Sequence, residues 1–89
     1  MKIKLELFGA SREFSNKNHI EFNLKKKISI KDFRKEIINY IDQNFKGNEN
    51  FKKIIEISAF CSEENNIIND NYTIIKDQKI GIIPPIGGG

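Results

Sequence analysis

The residues best placed to do chemistry close the sequence: Pro84-Pro85-Ile86-Gly87-Gly88-Gly89. A terminal glycine leaves its carboxylate unhindered. Glycines also lack a Cβ, so they can thread a narrow channel at any φ. A carboxylate is a poor electrophile, but ATP converts it to an acyl-adenylate. A sulfur donor that displaces AMP then leaves a thiocarboxylate. Gly89 is therefore the candidate reactive residue. Three glycines alone fit a functionless end or a remnant of cloning equally well.

Little else in the chain invites chemistry. His19 has no companion Cys or His set, so no metal site is expected. Cys61, the one cysteine, reads as a small apolar filler at a strand end rather than a redox thiol. No Gly-rich phosphate loop, nucleophile motif or paired-carboxylate site is present. The expectation is a non-catalytic protein with no bound cofactor, whose tail is worked on by other enzymes, ATP being used by the activating one.

The chain has 89 residues, room for one small core. Fifteen basic and twelve acidic residues give a formal charge of +3, too mild to signal nucleic acid. Lys25-Lys26-Lys27 reads as a solvated turn, or more sharply as a patch for an acidic partner. One cysteine permits no intrachain disulfide, which suits a reducing compartment. The alternating Met1–Glu6 stretch is unlike a signal peptide, and no run approaches about 18 apolar residues. A cytoplasmic protein with no membrane and no nucleic-acid partner is expected.

Periodicity indicates what holds the tail. Ile3, Leu5 and Leu7 alternate with polar residues over 2–8, a half-buried strand. Residues 9–18 read as a turn, and Ile20, Phe22 and Leu24 as a second strand. Ile30, Phe33, Ile37, Tyr40 and Ile41 share a helical face over about 30–45, with Ser29 as N-cap and Gly47 near the stop. A third strand is expected over 53–60, a short fourth strand at Ile67-Ile68, Ile74 and Ile75 packed near a short loop, and a last strand over Ile80–Ile83. The expected order is β-β-α-β-β-β. This is an α+β fold, a mixed sheet covered by one main helix, with the two chain ends forming a parallel central pair: the ubiquitin-like β-grasp.

Pro84 and Pro85 have no N–H to donate, so the sheet stops at Ile83. The expected division is a β-grasp domain over 1–83 and a flexible tail over 84–89. Phe8 and Phe60 fall on strand faces opposite the presumed helix-facing residues, and with Ile82 they form a candidate docking patch. A register shifted by one, or loops covering the rings, would remove that patch. Arg12 and Glu13 read as a local turn or surface ion pair.

Two motifs carry a family resemblance across the whole chain. Leu7-Phe8-Gly9-Ala10-Ser11-Arg12-Glu13-Phe14 is similar to a first strand followed by an Ala-x-x-Arg-Glu turn. Ile83-Pro84-Pro85-Ile86-Gly87-Gly88-Gly89 resembles a Pro-Pro-Val-Ser/Ala-Gly-Gly ending, with Gly87 in place of the usual small residue. Both belong to the MoaD/ThiS sulfur carriers, and the chain looks closest to the small subunit of molybdopterin synthase. Asp77-Gln78-Lys79 departs from that family's Gly-Asp-Glu turn, and the polar stretch Ser62–Asn66 is long.

The resemblance implies a mechanism. An adenylyltransferase related to ubiquitin-activating enzymes would adenylate Gly89, and a sulfurtransferase would supply persulfide sulfur. The molybdopterin synthase large subunit would receive the tail, through Pro84, Pro85, Ile86, Gly87 and Gly88, and provide the catalytic groups. Other readings are a carrier for thiamine, tungsten cofactor or tRNA thiolation, or a ubiquitin-like modifier of lysines. The Pro-Pro pair argues against the thiamine carrier.

Overall fold

A computed structural model describes residues 1–86 of the chain. Strand β1 (Lys2–Leu7) pairs antiparallel with β2 (His19–Asn23), and the segment between them contains a 3-10 helix (Gly9–Phe14). A two-residue strand β3 (Ile28–Ser29) leads into helix α1 (Ile30–Asn44), followed by helix α2 (Glu49–Ile57). Strands β4 (Ala59–Cys61), β5 (Ile67–Ile68), β6 (Thr73–Ile74) and β7 (Gln78–Ile83) complete the chain. The main sheet runs β2-β1-β7-β4-β5, and β3 pairs with β6 in a small second sheet.

The parallel central pair expected from the sequence is β1 against β7, in register from Ile3–Gln78 to Leu7–Ile82. Side chains alternate faces along a strand, so Ile3, Leu5, Leu7, Ile80 and Ile82 all point toward the helices. All five are 0–1% exposed. Helix α1 covers them with Ile30, Phe33, Ile37 and Ile41, each 0% exposed. The Ser29 hydroxyl caps α1 by accepting the Asp32 N–H at 3.1 Å. After the helix, Lys46 and Gly47 both adopt left-handed φ, 54° and 69°. That two-residue reversal starts α2 at once.

Residues 53–60 are not one strand. Most of the stretch is α2, and only Ala59–Cys61 is extended. The apolar residues admit both periods, and local chemistry selects the helical one. Asn48 caps α2, accepting the Phe51 N–H at 3.0 Å, and Glu49 lies in the first turn, where the helix dipole favours a carboxylate. Phe51, Ile55 and Ser58 stand at helical spacing and face inward. The Phe51 ring centroid is 5.1 Å from those of Phe14 and Phe45. Helix α1 is the main helix that the sequence pattern indicates, and α2 is a second, shorter helix packed against α1 and the 3-10 helix.

Arg34 ties α2 to the rest. Its guanidinium donates to Ile55 O (2.7 Å) and Ser58 O (2.8 Å), which are carbonyls of the last turn of α2 and its cap. It also donates to Asp70 Oδ1 (3.1 Å) and lies 4.7 Å from the Phe60 ring centroid. Tyr40 donates its hydroxyl to Phe14 O at 2.7 Å, and partial burial raises its pKa. No buried side-chain polar atom among the described residues lacks a partner.

Because Ile37 is fully buried between α1 and the sheet, Ile37→Ala is expected to cost about 2–5 kcal/mol. Denaturant unfolding checks this, and a loss well below that range would mean the helix does not seal the sheet.

Candidate functional site

The site is built from the place where the chain leaves the sheet. Strand β7 ends at Ile83, and the next residue, Pro84, is still buried. Gly9 lies beneath it with a left-handed φ of 56°, and a Cβ there would stand 3.8 Å from Pro84 Cδ. Glycine at this position gives the turn its backbone conformation at no steric cost. Pro85 is exposed, and Ile86 is 98% exposed. Gly87, Gly88 and Gly89 lie outside the described residues. The chain thus meets solvent at Pro85, one residue past the expected boundary between body and tail.

Of the expected docking residues, Phe8 stands on the sheet face away from the helices, 39% exposed. Phe60 and Ile82 do not. Both are 0% exposed, and they oppose each other across β4 and β7 on the helix-facing side. The reason is strand phase. With α2 ending at Ile57, the short β4 turns Phe60 inward beneath Phe33 and Arg34, and turns Ala59 and Cys61 outward. Ile82 follows Leu7 and Ile80 into the core.

The residues that accompany Phe8 on the outer face are Ala59, Gly81, Ile83 and Ile67, with Cys61 beneath. The register places Cys61 opposite Gly81 and Ala59 opposite Ile83. A Cβ on Gly81 would lie 2.6 Å from Cys61 Sγ and 3.0 Å from Phe8 Cε2, so glycine is required for the ring and the thiol to close over the strand. Cys61 is consequently only 8% exposed. Ser11, fully buried, fixes Phe8 by a reciprocal pair: its hydroxyl donates to Phe8 O (2.6 Å) and accepts from Phe8 N–H (3.0 Å).

Charge is segregated along this face. Lys4 and Lys79 stand opposite each other at its far end, and Glu6, level with Gly81, pairs back to Lys79 at 3.5 Å. The apolar end lies beside the root of the tail. An exposed pair of that kind contributes little stability, so its effect is to bound the apolar patch. On the opposite side of the tail root, α2 and the 3-10 helix leave a groove of about 270 Å³, lined by Ala10, Lys53, Ile54, Ile57, Pro84 and Pro85 among others. The strand reading of 53–60 concealed this groove. The spacing of Asn50, Lys53, Ile54 and Ile57 after an Asn48-Glu49 cap carried the signal.

Among the described residues, no three His, Cys, Asp or Glu side chains cluster as a metal site. No helix of the described residues is long and apolar enough to cross a membrane.

Two solved structures superpose on the full architecture. One is a Pyrococcus furiosus protein provisionally assigned as molybdopterin converting factor, subunit 1. It matches at TM-score 0.69 and 16% identity, over 96% of this chain and 98% of that one. The other is SAMP1 from Haloferax volcanii, at TM-score 0.69 and 10% identity over all of both chains. The chain has the ubiquitin-like β-grasp fold. Neither a family model nor a curated protein matches the sequence, so the shared property is the fold.

The packing around the β-grasp's last strand generates a test. Gly81→Ala is expected to displace Phe8 and Cys61, at an overpacking cost of about 1–3 kcal/mol, and to accelerate labelling of the Cys61 thiol by a disulfide reagent. Unchanged labelling would contradict the Phe8–Gly81–Cys61 arrangement.

Proposed function

We propose that the protein is a sulfur carrier that works through its C-terminal glycine and donates sulfur in molybdopterin synthesis, as the small subunit of molybdopterin synthase. The observation that carries this reading is the junction of two features. A β-grasp body ends its central strand at Ile83, and the sequence Pro84-Pro85-Ile86-Gly87-Gly88-Gly89 continues from it with Pro85 and Ile86 exposed.

The chemistry belongs to partners. The Gly89 carboxylate attacks the α-phosphate of ATP, held by a ubiquitin-activating-enzyme-like adenylyltransferase, and pyrophosphate leaves. The outer sulfur of a sulfurtransferase persulfide then attacks the acyl carbon, and AMP leaves. A thiol reduces the resulting S–S bond and frees the thiocarboxylate. In the synthase, the large subunit takes the tail and supplies the groups that pass sulfur to the pterin precursor. The chain's own share is to hold out an unhindered end and to offer the Phe8, Ala59 and Ile83 face beside it for docking. Ser11 holds the Phe8 backbone, so the main chain that presents the ring is ordered before binding, which lowers the entropic cost of association.

Deleting Gly89 is expected to reduce ATP–pyrophosphate exchange by the adenylyltransferase to background while leaving the melting temperature unchanged, since the chain ahead of it is already exposed at Ile86. Exchange that survives the deletion, or a large fall in melting temperature, would count against the reading.

A further inference from the structure

We infer that the groove between α2 and the 3-10 helix is a docking surface for the protein that activates the tail, and that it receives an apolar side chain flanked by a carboxylate. This rests on the sulfur-carrier reading, and it adds a surface on the helical side of the molecule to the sheet face already described.

The first ground is reach. From Pro85 to Gly89 there are five residues, and a fully extended chain spans at most about 3.3–3.6 Å per residue, or about 17 Å in all. An enzyme that encloses Gly89 uses much of that length for its own channel. Its rim must then rest on whatever surrounds Pro84 and Pro85. On one side that collar is the Phe8 face. On the other it is this groove, whose wall includes both prolines.

The second ground is the chemistry of α2. Its inward face is occupied by Phe51, Ile55 and Ser58, whereas Asn50, Lys53, Ile54 and Ile57 form a separate stripe at i, i+3, i+4 and i+7. Ile57 is 49% exposed and lies outside the buried core. Ala10, Ile54 and Pro84 continue the apolar surface beneath it.

The third ground is charge. Lys53 stands at the rim and makes no ion pair among the described residues, while its neighbour Lys52 is held by Asp42 at 2.6 Å. Glu49 and Glu56 flank Lys53 at i−4 and i+3 on the same helix, yet neither lies within ion-pair distance of it. A partner carboxylate next to an inserted apolar residue would satisfy the groove and its rim together.

The test uses the full chain with the ubiquitin-activating-type adenylyltransferase of the same genome, followed by ATP–pyrophosphate exchange. Ile57→Asp is expected to raise the KM for the carrier about tenfold, the scale of losing one well-packed interface anchor, with kcat little changed. Lys53→Glu should also raise KM, and it keeps the test valid if Ile57→Asp folds poorly. Ile75→Asp, an exposed site preceding the opposite end of β7 from the tail, should leave KM at the wild-type value. Wild-type KM in both groove variants would overturn the groove and leave the carrier reading standing. Absence of exchange with the wild-type chain would overturn both.

Discussion

The parallel pairing of β1 with β7 is the interaction on which the rest of the structure depends. It joins the first strand to the last, so every intervening element must fold before or around it. Five of the core side chains, Ile3, Leu5, Leu7, Ile80 and Ile82, lie on this pair alone. At an order of 1.5–3 kcal/mol for each fully buried aliphatic side chain, roughly, burial on this seam is a large part of what a domain of this size has available. The pairing also sets direction. Because β7 is central and runs parallel to β1, the chain can only leave the sheet beside the Phe8–Gly9 turn. The approach of Pro84 to Gly9 and the Ser11-held backbone of Phe8 both belong to that exit.

The body therefore does positional work. It makes the last strand rigid, ends it with a residue that cannot extend the sheet, and surrounds the exit with apolar surface on both sides. The reaction proposed for Gly89 asks nothing further of this chain. On the proposed reading, separating holder from chemist lets one small fold serve whichever enzyme can grip the collar and reach the end.

Much of this was legible in the sequence because the relevant signals are local. The 2-residue period of Ile3-Leu5-Leu7, the Ser29 cap and the helical spacing from Ile30 to Ile41 each report one element, and the structure agrees with all three. Where the structure differs, at α2, a run of Ile residues satisfies both a strand and a helix. Its true period is decided by the Asn48 cap and by Phe51 packing on Phe14 and Phe45, a contact between residues far apart in sequence. The difference extends to the site. A strand beginning at 53 gives Phe60 the wrong face, whereas a strand beginning at Ala59 buries it and delivers Ala59 and Cys61 to the surface side. The burial of Ile82 has another cause: which face of an apolar strand is covered depends on its partner, and the Leu7–Ile82 pairing is long-range.

The central claim is that Gly89 carries sulfur, and intact mass spectrometry addresses it most directly. The full chain is incubated with its adenylyltransferase, ATP and a persulfide donor, and its mass is compared with that of the untreated chain. Exchange of the terminal oxygen for sulfur predicts a gain of about 16 Da, located by fragmentation at Gly89 and removed by hydrolysis of the activated acyl group. An unchanged mass under conditions where the adenylyltransferase consumes ATP on this chain would contradict the account.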